Sequence, residues 1–215
     1  MRSPELILTA VLLLSSFACD NEPGKGKAQA AVASAVEPAS VAAAAPAAGT
    51  VTYAFSNQGS KLEFTGAKVT AKHEGAFNAF RGTIQVVDGK AEASTVTAEI
   101  DTASLAVEPA KLAGHLKSAD FFDVAKFPKA KFTSTAIKPG GANGATHTVT
   151  GNLELHGVTK SVSFPATLKV AGDAADADAE FAINRKDFAI VYTGMPDDLI
   201  KDDILIKLRL RAKKT

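Results

Sequence analysis

"VTGNLELHGVTKSVSFPATLKV", residues 149–170, decides the fold. Val149, Gly151, Leu153 and Leu155 alternate with Thr150, Asn152 and Glu154. Val162, Phe164, Ala166, Leu168 and Val170 then alternate with Ser161, Ser163, Thr167 and Lys169. Successive side chains of a strand point to opposite faces, so a period of two gives one apolar face and one polar face.

The same period runs outward from this stretch. Ile204, Ile206, Leu208 and Leu210 alternate with Lys207, Arg209 and Arg211, and Val96, Ala98 and Ile100 with Thr97 and Glu99. Ala130, Phe132, Ser134 and Ala136 alternate with Lys131, Thr133 and Thr135. Shorter matches fall at residues 51–55, 62–64, 84–86 and 179–183. Turn signals separate them: "VDGK" at 87–90, "PGGANG" at 139–144 and "AGDAADAD" at 171–178. Eight or nine strands at this spacing predict an all-β domain over residues 51–215, either a sandwich or an antiparallel barrel. Barrel closure removes exposed edges, and eight strands can enclose one small ligand.

One stretch breaks the alternation, near residues 104–126. Leu112 and Leu116 are four apart and follow Pro109, which suits a short amphipathic helix. Ser118 is placed to cap a second turn carrying Asp120, Phe121 and Phe122. Pro128 closes the excursion. "HLKSADFFDVAKFPKAKF", residues 115–132, holds four of the chain's twelve phenylalanines in a polar setting. A helix laid across a barrel mouth would turn those rings inward.

The N-terminus differs in character. Arg2 precedes an apolar run over residues 6–18, too short for the roughly 20 residues that span a bilayer. The chain's single cysteine, Cys19, follows Ala18. That pattern predicts a signal peptide over 1–18 and bacterial lipoprotein processing, with Cys19 diacylated and membrane-anchored. Ser16 departs from the leucine usual at its position, and Ser16-x-Ala18 also suits an ordinary signal peptidase, which would leave a soluble secreted protein. Residues 19–50 are rich in Ala, Pro, Gly and Ser, with no large apolar residue except Val. They read as the lipid-anchored Cys followed by a disordered tether.

A net charge of +1 argues against a nucleic-acid partner. A lone cysteine supplies neither a disulfide framework nor a Cys-based metal site within one chain. His73, His115, His147 and His156 lack metal-ligand spacing, and no nucleophile–base pair is visible, so neither a metal nor an enzymatic activity is expected. The carboxylates Asp173, Asp176, Asp178 and Glu180 lack EF-hand spacing and read as a solvated hairpin.

Three motifs in order carry a family resemblance: "HLKSADFFDVAKFPKAKFTST", "VTGNLELHGVTKSVSFPATL" and "AINRKDFAIVY". They resemble those of the YceI-like proteins, a lipocalin-like family of bacterial periplasmic and secreted proteins, across about residues 51–212. Two departures stand out. The family's early Trp is absent, and Ala189 occupies a position usually held by Gly. The second departure predicts a different turn after Phe188.

The resemblance implies an extended antiparallel barrel, a location in the periplasm or cell envelope, and an isoprenoid-type amphiphile held inside without catalysis. Its lipid tail would lie among Phe121, Phe122, Phe127, Phe132, Phe164, Phe181, Phe188 and Leu116. Its head would meet His115, Arg185 or Asp187. Arg185 suits an anionic head, since guanidinium is planar and bidentate. The family also includes members associated with b561-type membrane cytochromes and quinone-related lipids. A barrel that binds protein and holds no ligand is the remaining alternative.

Overall fold

A computed structural model describes residues 21–36 and 49–215. The predicted signal peptide over 1–18 and the predicted lipidation site Cys19 lie outside the described residues. In chain order the strands are β1 (Ala28–Gln29), β2 (Ala31–Ser34), β3 (Thr50–Ser56), β4 (Lys61–Ala67), β5 (Lys72–Phe77), β6 (Phe80–Val87), β7 (Lys90–Asp101) and β8 (Leu105–Val107). The helix α1 (Ala110–Lys117) follows. Then come β9 (Lys129–Pro139), β10 (His147–Leu155), β11 (Val158–Ala171), β12 (Ala174–Asn184), β13 (Gly194–Met195), β14 (Asp198–Leu199) and β15 (Asp203–Lys214).

These elements build the expected closed eight-stranded antiparallel barrel. Three walls are pairs of consecutive strands joined by a bend: β3 with β4, β5 with β6, and β7 with β8. Each bent pair keeps one neighbour along its length. Thus β3 pairs with β6 while β4 pairs with β5, and β6 pairs with β7 while β5 pairs with β8. The meander continues through β9, β10, β11 and β12 to β15, which closes on β4 and β3. At the bends, hydroxyls replace lost ladder donors and acceptors. Ser60 Oγ accepts the Arg211 amide at 3.0 Å and Ser104 Oγ accepts the Ala79 amide at 3.0 Å.

Turns at 88–89, 140–146 and 172–173 gather at one end of the barrel. That end is filled by Tyr53, Phe55, Ile84, Val86, Ala175 and Ala212, and the Tyr53 hydroxyl donates to the Gly172 carbonyl at 3.0 Å. The acidic residues of 171–178 are not a long loop. Only 172–173 turn, and Asp176 and Asp178 stand on β12 beside Arg211.

Loop 68–71, the segment 108–128 and loop 185–202 gather at the opposite end, the mouth. There α1 starts directly after Pro109, as expected, and ends at Ser118. His115 and Lys117 in its last turn suit the negative end of the helix dipole. Ser118 closes α1 by donating to the His115 carbonyl at 2.8 Å, and its hydroxyl accepts the Asp120 amide at 3.4 Å at the start of the turns that follow.

The described part of the supposed tether is built into the wall, which corrects the reading of residues 21–36 as disordered. β11 and β12 pair directly only from Thr167↔Asp178 to Ala171↔Ala174. Above that they part, two residues from Pro165, which has no N–H to donate. Residues 28–34 fill the seam: β1 lies parallel to Phe181–Ala182, and β2 lies antiparallel to Lys160–Ser163. Ala30 is buried there among Phe164, Phe181 and Ile183. The strap is held by strand pairing and small side chains, which composition arguments do not register.

Candidate functional site

An elongated cavity of about 660 Å³ runs down from the mouth. That volume falls within the roughly 300–1,000 Å³ of ligand pockets. Its deep wall is apolar throughout, because the inward-facing residues of the alternating strands are Val, Leu, Ile, Phe and Ala. Ala98, Ala166, Ala177 and Ala179 leave the space open where larger side chains would close it.

Six of the eight predicted tail-contact residues line this cavity: Phe121, Phe122, Phe132, Phe164, Phe181 and Leu116. Phe164 and Phe181 stack at 4.2 Å between ring centres, and Phe132 tilts against Phe164 at 5.9 Å. Phe122 meets Phe77 edge-on at 5.6 Å beneath α1. Leu112 and Leu116 stay half-buried because the face they present borders the cavity.

Phe127 and Phe188 do not line the cavity, which corrects the sequence reading of both. Phe127 packs over Gly157 and lies 4.8 Å from the His156 ring. A Cβ at Gly157 would come within 2.5 Å of the Phe127 ring, so the glycine makes room for it. Phe188 is fully buried in the wall, and its carbonyl lies 3.2 Å from His156 Nδ1. Both rings fasten connections at the mouth end.

Among the described residues, polar side chains reach the cavity only around the mouth, from Lys68, His73, Lys111, His115, Arg185, Tyr192 and Asp198. His115 Nε2 lies 2.9 Å from Asp120 Oδ2. Its ring stands edge-on to Phe121 at 5.1 Å and to Tyr192 at 5.2 Å, while Phe121 and Tyr192 are 5.3 Å apart. The three rings form an aromatic corner with one polar edge. Across the mouth, Lys68 contacts Asp198, which also accepts from the Thr70 amide and hydroxyl at 3.1 and 2.9 Å. Lys68 foremost, with Thr70, holds the Asp198 carboxyl below its ordinary range.

Arg185 is buried and committed to protein. Its Nε donates to Lys201 O at 3.1 Å, and Nη1 donates to Ile190 O at 2.7 Å. Nη2 donates to Ile200 O at 3.4 Å and to Asp202 Oδ1 at 3.1 Å. Burial holds its pKa below the usual guanidinium value, and the Asp202 charge works in the other direction. Arg185 therefore braces loop 185–202 against the barrel. Asp187 is exposed outside the cavity and does not pair with Arg185; Asp202 takes that place. Of the three predicted head contacts, His115 and Arg185 line the cavity, and Arg185 is taken up by these protein contacts.

The sequence reading missed Phe64, Phe77, Phe80 and Tyr192, all of which line the cavity. Phe64 was detectable, since it is in phase with Leu62. Tyr192 sits in an irregular loop where no period exists. Among the described residues, no buried side-chain polar atom lacks a partner, and no group of three or more His, Cys, Asp or Glu is arranged to hold a metal. Also among them, no helix is long and apolar enough to cross a membrane.

Three comparisons agree with this architecture. The family model described as the YceI-like domain matches residues 53–212. A UPF0312 protein of Pseudomonas putida (strain W619) is 40% identical over 139 residues, which is 62% of this chain and 71% of that protein. The crystal structure of Burkholderia cenocepacia BcnA is 30% identical with a TM-score of 0.64, covering 73% of this chain and 98% of that one. A polyisoprenoid binding domain from Saccharophagus degradans shares the fold at 14% identity and a TM-score of 0.60, covering 77% and 99%. With the profile match spanning nearly the whole barrel, the chain belongs to the YceI-like domain family.

Proposed function

We propose that this chain is a non-enzymatic carrier that holds one amphiphilic lipid of isoprenoid type in its barrel, at the surface of a bacterial envelope membrane. The observation that carries the reading is the division of the cavity. Its deep wall is apolar, and among the described residues polar side chains reach it only around the mouth. Such a site suits a long hydrocarbon tail with a small polar head near His115 and Tyr192. The polyisoprenoid binding domain named among the structural neighbours supports the same class of ligand. Lipidation at Cys19 would keep the carrier beside its source of lipid.

Filling the cavity tests this. Ala177→Trp and Ala179→Trp each put a large ring into the lumen. Delipidated full-length protein is offered a fluorescent polyprenyl probe, and melting is followed in parallel. The reading predicts uptake by the wild type and loss of uptake in both variants with melting retained. Equal uptake by wild type and variants, or none by any, overturns it. Undiminished function of a delipidated, non-loading barrel would leave protein binding as its role.

A further inference from the structure

The apolar residues left outside the core are concentrated at one place. Among the described residues, five large hydrophobic side chains are exposed, and four of them ring the mouth: Val69, Val191, Met195 and Leu199, at 49–63% exposure. Val69 and Leu199 belong to two hairpins joined by the Val69 amide donating to the Leu199 carbonyl at 3.0 Å. β13 and β14 form the second hairpin, which presents Met195. An apolar cluster at the end of a barrel, beside the opening of an apolar cavity, marks an interaction surface.

The chain itself indicates what covers that surface. The strap that fills the β11–β12 seam ends at the mouth. Asn21 donates from Nδ2 to the Val69 carbonyl at 2.9 Å, and Glu22 pairs with Lys201 at 2.6 Å. The described chain thus begins at the rim, and Cys19 stands two positions before Asn21 in the sequence. The apolar run of residues 6–18 comes immediately before it. An anchor at Cys19, as proposed above, would therefore act from the rim side of the barrel, where the described chain begins.

We propose that the mouth rim docks on a phospholipid bilayer. Val69, Val191, Met195 and Leu199 enter the head-group layer, and the cavity opens onto the membrane. Exposed Asp197, at the tip between β13 and β14, keeps the contact interfacial. Lipid can then pass between bilayer and barrel without crossing water. The proposal rests on the envelope anchoring proposed above, and its test reads the two separately.

Full-length protein is mixed with vesicles of phosphatidylethanolamine and phosphatidylglycerol. Sedimentation reports anchoring, and backbone amide exchange reports docking. Exchange at residues 68–70 and 191–199 is expected to slow by about tenfold on vesicles, with no change at 140–146 or 172–173. The double variant Val191→Asp/Leu199→Asp changes two exposed positions and should keep its melting temperature. It is expected to sediment with the vesicles but lose the rim protection. Sedimentation without rim protection, or protection equal at both ends, overturns docking and leaves anchoring in place. Failure to sediment overturns both. Solvent extraction of the same samples reports bound lipid independently of either result.

Discussion

The Ala30 amide donates to the Ala182 carbonyl at 2.8 Å, and this one bond sits where β11 and β12 have parted. The strap around it also ties Lys27 to Glu180 at 2.7 Å and places Gln29 against Asp203 at 3.4 Å. Burying a carboxylate at position 30 would oppose this arrangement. Ala30→Asp is expected to cost about 1–3 kcal/mol. Amide exchange should accelerate at 160–163 and 181–182 and stay slow at 147–155. Uniform acceleration would mean that the strap is not a separable element.

The motif resemblance puts Gly where this chain has Ala189. The turn after Phe188 is left-handed, with Ala189 at φ +58°. Ala tolerates that region poorly, since its Cβ crowds the backbone. Ala189→Gly is expected to stabilise the fold by about 0.5–1 kcal/mol, the steric relief being partly offset by glycine's greater chain entropy. Denaturant melts of both chains would measure it. A loss of stability would show that the turn is held without strain.

Phe122 and Phe188 separate cavity lining from packing. Phe188 is fully buried, so Phe188→Ala should cost about 3–5 kcal/mol. Phe122 is half-buried on the cavity beneath α1. Phe122→Ala should cost less than about 2 kcal/mol and release bound lipid. If Phe122→Ala unfolds the barrel without a selective loss of lipid, its ring is core.

The Lys68–Asp198 contact links the two rim hairpins and depends on pH. Asp198 has a lowered pKa in the folded chain, first from Lys68 and then from Thr70. Its contribution is therefore present above the unfolded carboxylate pKa, and it is lost as pH falls through the folded value. The window lies below roughly pH 4. Protection factors of the Val69 and Ile200 amides should fall in that window for the wild type. Asp198→Asn should show weaker protection at neutral pH and no further acid step. An identical acid step in the variant would assign the effect to another group.

Arg185→Met tests the brace at the base of loop 185–202. It leaves the carbonyls of Ile190, Ile200 and Lys201 without this donor, and Asp202 with only Lys186 at 2.8 Å. A loss of about 3 kcal/mol is expected. Arg185→Lys should recover little of it, because one ammonium cannot reach all four acceptors. Full rescue by Lys would point to charge alone.

The barrel was legible because its signal is periodic. Val162, Phe164 and Ala166 share a phase, and all three are buried on the inner face. The helix after Pro109 was legible from Leu112 and Leu116 for the same reason. Aromatic content alone did not separate lining from packing: Phe121 and Phe127 come from one short motif, yet only Phe121 faces the lumen. The strap was illegible because its stabilisation comes from strand pairing and from small buried residues such as Ala30. Arg185 looked like a ligand contact because its chemistry suits anions. Its four acceptors converge only in three dimensions, three of them from residues 200–202.

Native mass spectrometry of the full chain, purified from its own host and followed by solvent extraction, tests the central claim most directly. The account predicts an added mass on the folded protein that matches an extractable isoprenoid or related amphiphile, and that disappears in Ala179→Trp. A clean unliganded mass, from protein that also refuses polyprenols and quinones, would contradict it.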